Sequence, residues 1–256
     1  MKRIIAIICT VMIIGALCCG CALVPKWNTD PTPASSTEAA STQEAQATQE
    51  IPATASANNE TQVDVSSASV SDYVREAKES VVVQPGGGEK RFRIPEILLG
   101  SKDAAAANSE IIERYGSYFD DPYAREYVIS MDYEAYLYDR ILSVFVKNSV
   151  DGGNSNGLCY SFDITTGDKL NNETLCSMTG RDYNAVIDTL TTNLTAYYDE
   201  KYSGLPANDE MRSKTLSSDN INASVLFLDG SHRLTAMVNL YAAVGGGNWV
   251  DTIPAE

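Results

Sequence analysis

Gly153, Ser155 and Gly157 match the G-x-S-x-G pattern, in which a serine nucleophile stands on a sharp turn. That chemistry needs a strand before the serine, a helix after it and a histidine base within reach. Here "DGGNSNG" reads as a loop, and the alternating run "LCYSFDI" (158–164) that follows reads as a strand. The chain has one histidine, His232, which stands beside Gly230 at a predicted hairpin turn. Ser155 is therefore expected in a turn, and an envelope serine hydrolase using Ser155 is the rival reading. One histidine and no Cys-x-x-Cys in the folded part argue against zinc. Asp151, Asn154 and Asn156 miss the spacing of a calcium loop. No catalytic residue, cofactor or metal site is expected. Aromatics dominate interface anchors, which makes Tyr136, Tyr138 and Trp249 candidate contacts, with sheet or core packing the stronger reading of each.

Of the six cysteines, Cys9 falls in an apolar run and Cys18, Cys19 and Cys21 fall at its end. Lys2 and Arg3 precede that run, Ile4 to Leu17, and "CCGCA" follows it. A basic start, an apolar core and small residues describe an export signal. A cysteine after a small residue is where a bacterial lipoprotein receives its acyl chains. Cys21 follows Gly20 and is the expected lipidation site, with residues 1–20 as signal peptide. An uncleaved anchor is the alternative, and either reading leaves the rest of the chain outside the cell membrane. Cys159 and Cys176 remain in the folded part, where an exported chain can oxidise them; spacing alone leaves that bridge open.

Residues 28–70 are Ser, Thr, Ala, Gln and Glu with a few Pro, and hold no aromatic, Gly, Lys or Arg. Such a segment cannot bury enough apolar surface to offset its ordering entropy. The sequence thus predicts a lipid anchor and disordered linker over 21–85, and an extracellular domain over 86–256, divisible into lobes near 86–165 and 166–256. The formal charge of −15 leaves no basic surface for nucleic acid and suits a cationic partner.

"EKRFRIPEILLG" (89–100) reads as an edge strand, since Pro95 limits pairing. Gly86 to Gly88 read as a hinge out of the linker. Ser101 caps a helix running to about Phe119, with Ala104, Asn108, Ile111, Ile112, Tyr115 and Tyr118 on one face. Tyr127 to Leu137 alternates as a strand, Asp139-Arg140 turns, and Ile141 to Asn148 returns. "TTGD" is a tight turn with Gly167 at positive φ. Thr179 and Asp182 suggest a capping box for a helix striped by Tyr183, Val186, Ile187, Leu190, Leu194, Tyr197 and Tyr198. Residues 199–223 read as irregular, and a hairpin turning at Gly230 ends the pattern. The order is β-α-β-β-β-α-β-β, an α+β fold with two main helices on one face of a mostly antiparallel sheet.

Four stretches occur in a telling order: "RIPEILLGSKDAAAANSEI", "YEAYLYDRILSVFV", "GGNSNG" and "SFDITTGDKL". With the final "VLFLDGSHRLTAMVNLYAAVGGG", they resemble the extracellular domain of the lysozyme-binding anti-sigma-V factor. A similar domain precedes the catalytic domain of a peptidoglycan deacetylase. The likeness covers about residues 90–250. Family members often carry Gly-Gly-Ala-His where this chain has Gly152-Gly153-Asn154-Ser155, so a function resting on that histidine is not implied here. The resemblance implies a non-enzymatic module that binds lysozyme, another cationic wall-acting protein, or peptidoglycan. A scaffold assembling with other envelope proteins is the third expectation.

Overall fold

A computed structural model of the chain describes residues 68–256, apart from 123–124, 126–127, 151–154 and 246. The expected signal, Cys21 and the linker up to residue 67 lie outside the described residues. The fold is α+β. Its elements are α1 (Val70–Tyr73), β1 (Val74–Val83), β2 (Glu89–Ile97), α2 (Lys102–Tyr115), α3 (Ser117–Asp120), β3 (Val128–Tyr138), β4 (Ile141–Val150) and β5 (Ser155–Asp163). Then come α4 (Asn172–Met178), α5 (Tyr183–Lys201), α6 (Asp209–Thr215), α7 (Ser218–Asn222), β6 (Val225–Leu228), β7 (Leu234–Tyr241) and β8 (Asn248–Pro254).

Strands β1 to β5 form one sheet in chain order, and β6 to β8 form a second. All neighbours are antiparallel except β2 and β3, which meet in parallel at Phe92 and Met131. A parallel step needs a crossover, and α2 supplies it. The two long helices serve different sheets. Ala104, Ala107, Ile111 and Tyr115 of α2 pack with Phe92, Ile94, Val144 and Tyr160 of the larger sheet. Val186, Leu190, Leu194 and Tyr198 of α5 pack with Leu234, Val238, Leu240 and Ile253 of the smaller one.

Four expectations need correction. The folded domain starts at Val70 rather than 86, because β1 pairs with β2 from Val74 opposite Ile97 to Val83 opposite Glu89. Gly86 to Gly88 are therefore the turn of a hairpin. Gly86 and Gly87 have φ of 112° and 90°, and the Gln84 N–H closes the turn on the Gly88 carbonyl at 2.7 Å. Strand β2 is consequently internal. Pro95, which has no N–H to donate, sits opposite a β-bulge where the register slips between Glu76 and Lys78. Thr179 belongs to the end of α4, where its hydroxyl donates to the carbonyls of Leu175 and Cys176. Asp182 alone caps α5, accepting from the Ala185 N–H.

A second bulge lies between Val128 and Ser130. It turns Val128 into the core and leaves Ile129 exposed, while Met131, Tyr133, Ala135 and Leu137 keep the inward face expected of them. Strands β4 and β5 are buried on both faces. Leu142, Val144, Val146, Leu158, Tyr160 and Phe162 point to the α2 side. Phe145 and Cys159 point the other way and meet Phe227 of β6. Two buried hydroxyls serve the β6 backbone there. Ser143 Oγ accepts from the Leu228 N–H at 3.1 Å, and Ser161 Oγ donates to the Leu226 carbonyl at 3.4 Å. The two sheets meet through Phe145 and Cys159 of the larger one and Phe227 of the smaller.

Candidate functional site

Ser155 is the first residue of β5, opposite Ser149 at the far end of β4, and it is buried. The turn expected at Ser155 is instead the start of a strand, so strand rather than helix directly follows the serine. His232 lies at the other end of the sheet, where its ring rests on Tyr138 with centroids 4.6 Å apart. Tyr138 is opposite Ile141, and Ile141 and Ser149 are eight residues apart along β4. At strand rise this separates Ser155 from His232 by roughly 25 Å. His232 cannot act as its base. Among the described residues, no group of three or more Asp, Glu, His or Cys side chains could hold a metal ion.

The "SFDITTGDKL" stretch is a structural lock. The Asp163 carboxylate accepts from the Thr165 N–H at 2.9 Å and its hydroxyl at 2.6 Å. Gly167 has φ of 77°, and a Cβ there would lie 2.7 Å from Ser101 Cβ, so only glycine lets the turn reach the cap of α2. The Lys169 N–H then donates to Asp103 in the first turn of that helix at 2.8 Å. This turn thus joins β5 to α2.

Cys159 and Cys176 are both free and buried. They occupy different parts of the core, Cys159 beside Phe145 and Phe227, Cys176 beneath α5. The structure does not join them. Burial pushes both thiols above the usual range, chiefly by desolvation of the thiolate. Buried, protonated thiols are inert. Iodoacetamide at pH 8 is expected to leave both unmodified in the native chain and to modify both in urea, as read by peptide mass spectrometry. A Cys159–Cys176 linked peptide would contradict this arrangement.

The three candidate aromatics separate. Trp249 is a core residue of β8, edge-on to Tyr202 at 6.3 Å between centroids. Lys201 lies 5.6 Å over its ring and donates to Asp251 at 3.1 Å, and Tyr197 donates to the same carboxylate. These contacts tie α5 to β8. Burial raises the Asp251 carboxyl, but the bonds from Tyr197, Lys201 and the Thr252 N–H outweigh it and hold it below the usual range.

Tyr136 and Tyr138 come together. Asp132, Glu134, Tyr136 and Tyr138 alternate along β3 on the face turned away from α2. The second sheet covers β4 and β5 on this face through Phe227, and the β6–β7 turn borders the strip. Tyr136 donates to Glu134 at 2.6 Å, and its ring lies so close to Gly230 that a Cβ there would be 2.8 Å away. Burial first, then the bond to Glu134, pushes the Tyr136 phenol up. Tyr138 is 44% exposed. Asp229 closes the turn by accepting from the Ser231 and Arg233 N–H groups at 2.8 and 3.0 Å. Asp132 is held by Arg93 at 2.6 Å, while Glu134 and Asp139 face solvent. The arrangement is a strip of carboxylates and aromatic rings, with Asp132 and Asp229 already paired to Arg93 and Arg233. The alternation of "DYEAYLYD" is visible in the sequence, but its placement beside the Gly230 turn is not.

No family model matches the chain. No curated protein matches it either. Among solved structures, the chain is similar to a member of the DUF3298 family from Bacteroides fragilis, at 12% sequence identity and a TM-score of 0.30, over 71% of this chain and 89% of that one.

Proposed function

We propose that the domain is a non-catalytic binding module, held at the outer face of the cell membrane by a lipid on Cys21, and that its ligand is a cationic wall-acting protein of the lysozyme kind. The observation that carries this reading is the β3 strip, with exposed Glu134 and the exposed ring of Tyr138 on one face and exposed Asp139 in the turn that follows. The net charge supports it: removal of Lys2 and Arg3 with the signal would take the formal −15 to −17. The resemblance to the lysozyme-binding domain supports it too. The distance between Ser155 and His232 weighs against the hydrolase alternative.

Calorimetry of the full chain in detergent with lysozyme, at low and at physiological salt, tests this. Binding is expected to persist at physiological salt. Tyr138→Ala is expected to weaken it about tenfold or more, as for an interface anchor. Glu134→Lys is expected to act mainly on the association rate and its salt dependence. Binding only at low salt would reduce the interaction to general charge attraction. No binding at either salt would sink the lysozyme reading, and binding untouched by both variants would move it off the strip.

A further inference from the structure

Helices α6 and α7 border the end of β7 farthest from the β6–β7 turn, and a cavity of about 720 Å³ opens between these three elements. Ser213 and Lys214 of α6, Asp219 and Asn220 of α7, and Asn239 and Tyr241 of β7 are among the residues that line it. A space of this volume is in the range of small-molecule sites.

Buried polar groups fix its frame. Strand β6 pairs with β7 only as far as Met237, which leaves the β7 edge beyond it to other partners. Thr215 is fully buried, and its hydroxyl accepts from the Tyr241 N–H at 3.0 Å. The Asn220 amide donates to the Thr215 carbonyl at 2.8 Å and to the Asn239 carbonyl at 2.9 Å, and Asn220 is itself 8% exposed. These bonds hold two short helices against one strand, so the walls are set before anything enters.

The groups on those walls have a distinct chemistry. Lys214 is already paired with Glu210 at 2.9 Å. Among the described residues, the side chains of Ser213, Asp219 and Asn239 and the Tyr241 hydroxyl make no hydrogen bond or ion pair. Asn239 and Tyr241 share one face of β7, roughly 7 Å apart at strand rise. A carboxylate, an amide, two hydroxyls and an aromatic ring are thus available together. An apolar ligand would desolvate the polar groups without bonding them, and an anion would meet Asp219 and Glu210. A ring carrying several hydroxyls meets both needs, because each hydroxyl donates and accepts while the C–H face rests on the phenol ring.

We infer that this cavity binds a short neutral saccharide, with Asn239 bonding its hydroxyls and Tyr241 packing under one sugar ring. The inference stands whether or not lysozyme binds the β3 strip. Maltotriose, cellotriose and chitotriose are the probes, and cyclohexanol, a ring of similar size with one hydroxyl, is the control. NMR titration uses the full chain in a detergent without a sugar headgroup. At least one trisaccharide is expected to shift the amides of Asn220, Asn239 and Tyr241 saturably, while cyclohexanol leaves them in place. Tyr241→Ala is expected to weaken that trisaccharide about tenfold or more through loss of the ring. Because Tyr241→Ala could disturb β7, Asn239→Ala serves as a second variant. It removes an amide that bonds nothing in the chain, so it is expected to weaken the sugar about tenfold without lowering the melting temperature. Absence of saturable shifts with all three trisaccharides would overturn the proposal. So would equal binding of cyclohexanol, or unchanged sugar affinity in both variants.

Discussion

A chain beginning at Gly86 is expected to lose cooperative folding, or to melt at least about 10 °C below a chain beginning at Ala68. The shorter chain keeps every residue that reads as globular in the sequence, but it lacks α1 and β1. Val74 is buried, and Val70, Tyr73 and Val82 pack on the same core. Burial of such side chains contributes about 1.5–3 kcal/mol each. Loss of β1 also exposes the edge of β2, whose Phe92 and Ile94 are fully buried. A domain is stable by only about 5–15 kcal/mol. A loss of even about 3 kcal/mol lowers the melting temperature of a chain this size by roughly 6–12 °C, and the sum here is larger. Circular dichroism melts of the two chains decide the matter. Equal melting temperatures would mean that β1 is an addition to a domain complete without it.

Strand β1 shows why part of the fold was legible in the sequence and part was not. "VREAKESVVV" has four charges in its first six residues and no aromatic residue. It lies at the sheet edge, where charges suppress pairing with other chains, so it lacks the alternation of a half-buried strand. Its charges pair locally instead, Arg75 with Glu96 at 2.6 Å and Glu79 with Arg91 at 3.3 Å. Elements with a strong period were readable. Val186, Leu190, Leu194 and Tyr198 mark the buried face of α5 as expected. The local turns at Asp139 and Gly167 were equally readable, because positive φ has a residue signature. Short polar helices were not. Helix α6 starts on Asn208, whose side chain accepts from the Met211 N–H and donates to the Ala243 carbonyl. Helix α7 is fixed by Asn220, which donates to the carbonyls of Thr215 and Asn239. Such tertiary bonds leave no periodic trace.

The candidate site divides along the same line. Tyr136 and Tyr138 were readable as members of an alternating strand, and Trp249 as an aromatic near the chain end. Which of them faces solvent depends on α5 covering β8 and on the second sheet stopping at the edge of β3. Both are contacts between residues distant in sequence. The separation of Ser155 from His232 is likewise a matter of strand length and register, which no local pattern encodes.

Phe227→Ala is expected to cost about 3–5 kcal/mol and to keep a single unfolding transition. Phe227 is 3% exposed, and its ring stacks on Phe145 of the other sheet at 5.5 Å between centroids. Little can collapse into the space it leaves, because the Ser143 and Ser161 hydroxyls beside it are committed to the β6 backbone. The melting temperature should fall by about 6–20 °C. Phe145→Ala should act similarly, and the double variant should show a coupling of about 0.5–1.5 kcal/mol. The number of transitions matters more than the size of the loss. Ile141, in β4 of the larger sheet, belongs to the core beneath the smaller one, and Phe227 of the smaller sheet covers Phe145 and Cys159 of the larger, so each sheet buries residues of the other. Fluorescence of Trp249, isolated by Trp27→Phe, follows the smaller sheet, while circular dichroism follows both. Coincident melts in Phe227→Ala would establish one cooperative unit. A fluorescence transition well below the circular dichroism transition would mean that the sheets fold separately, and that residues 166–256 form a lobe of their own.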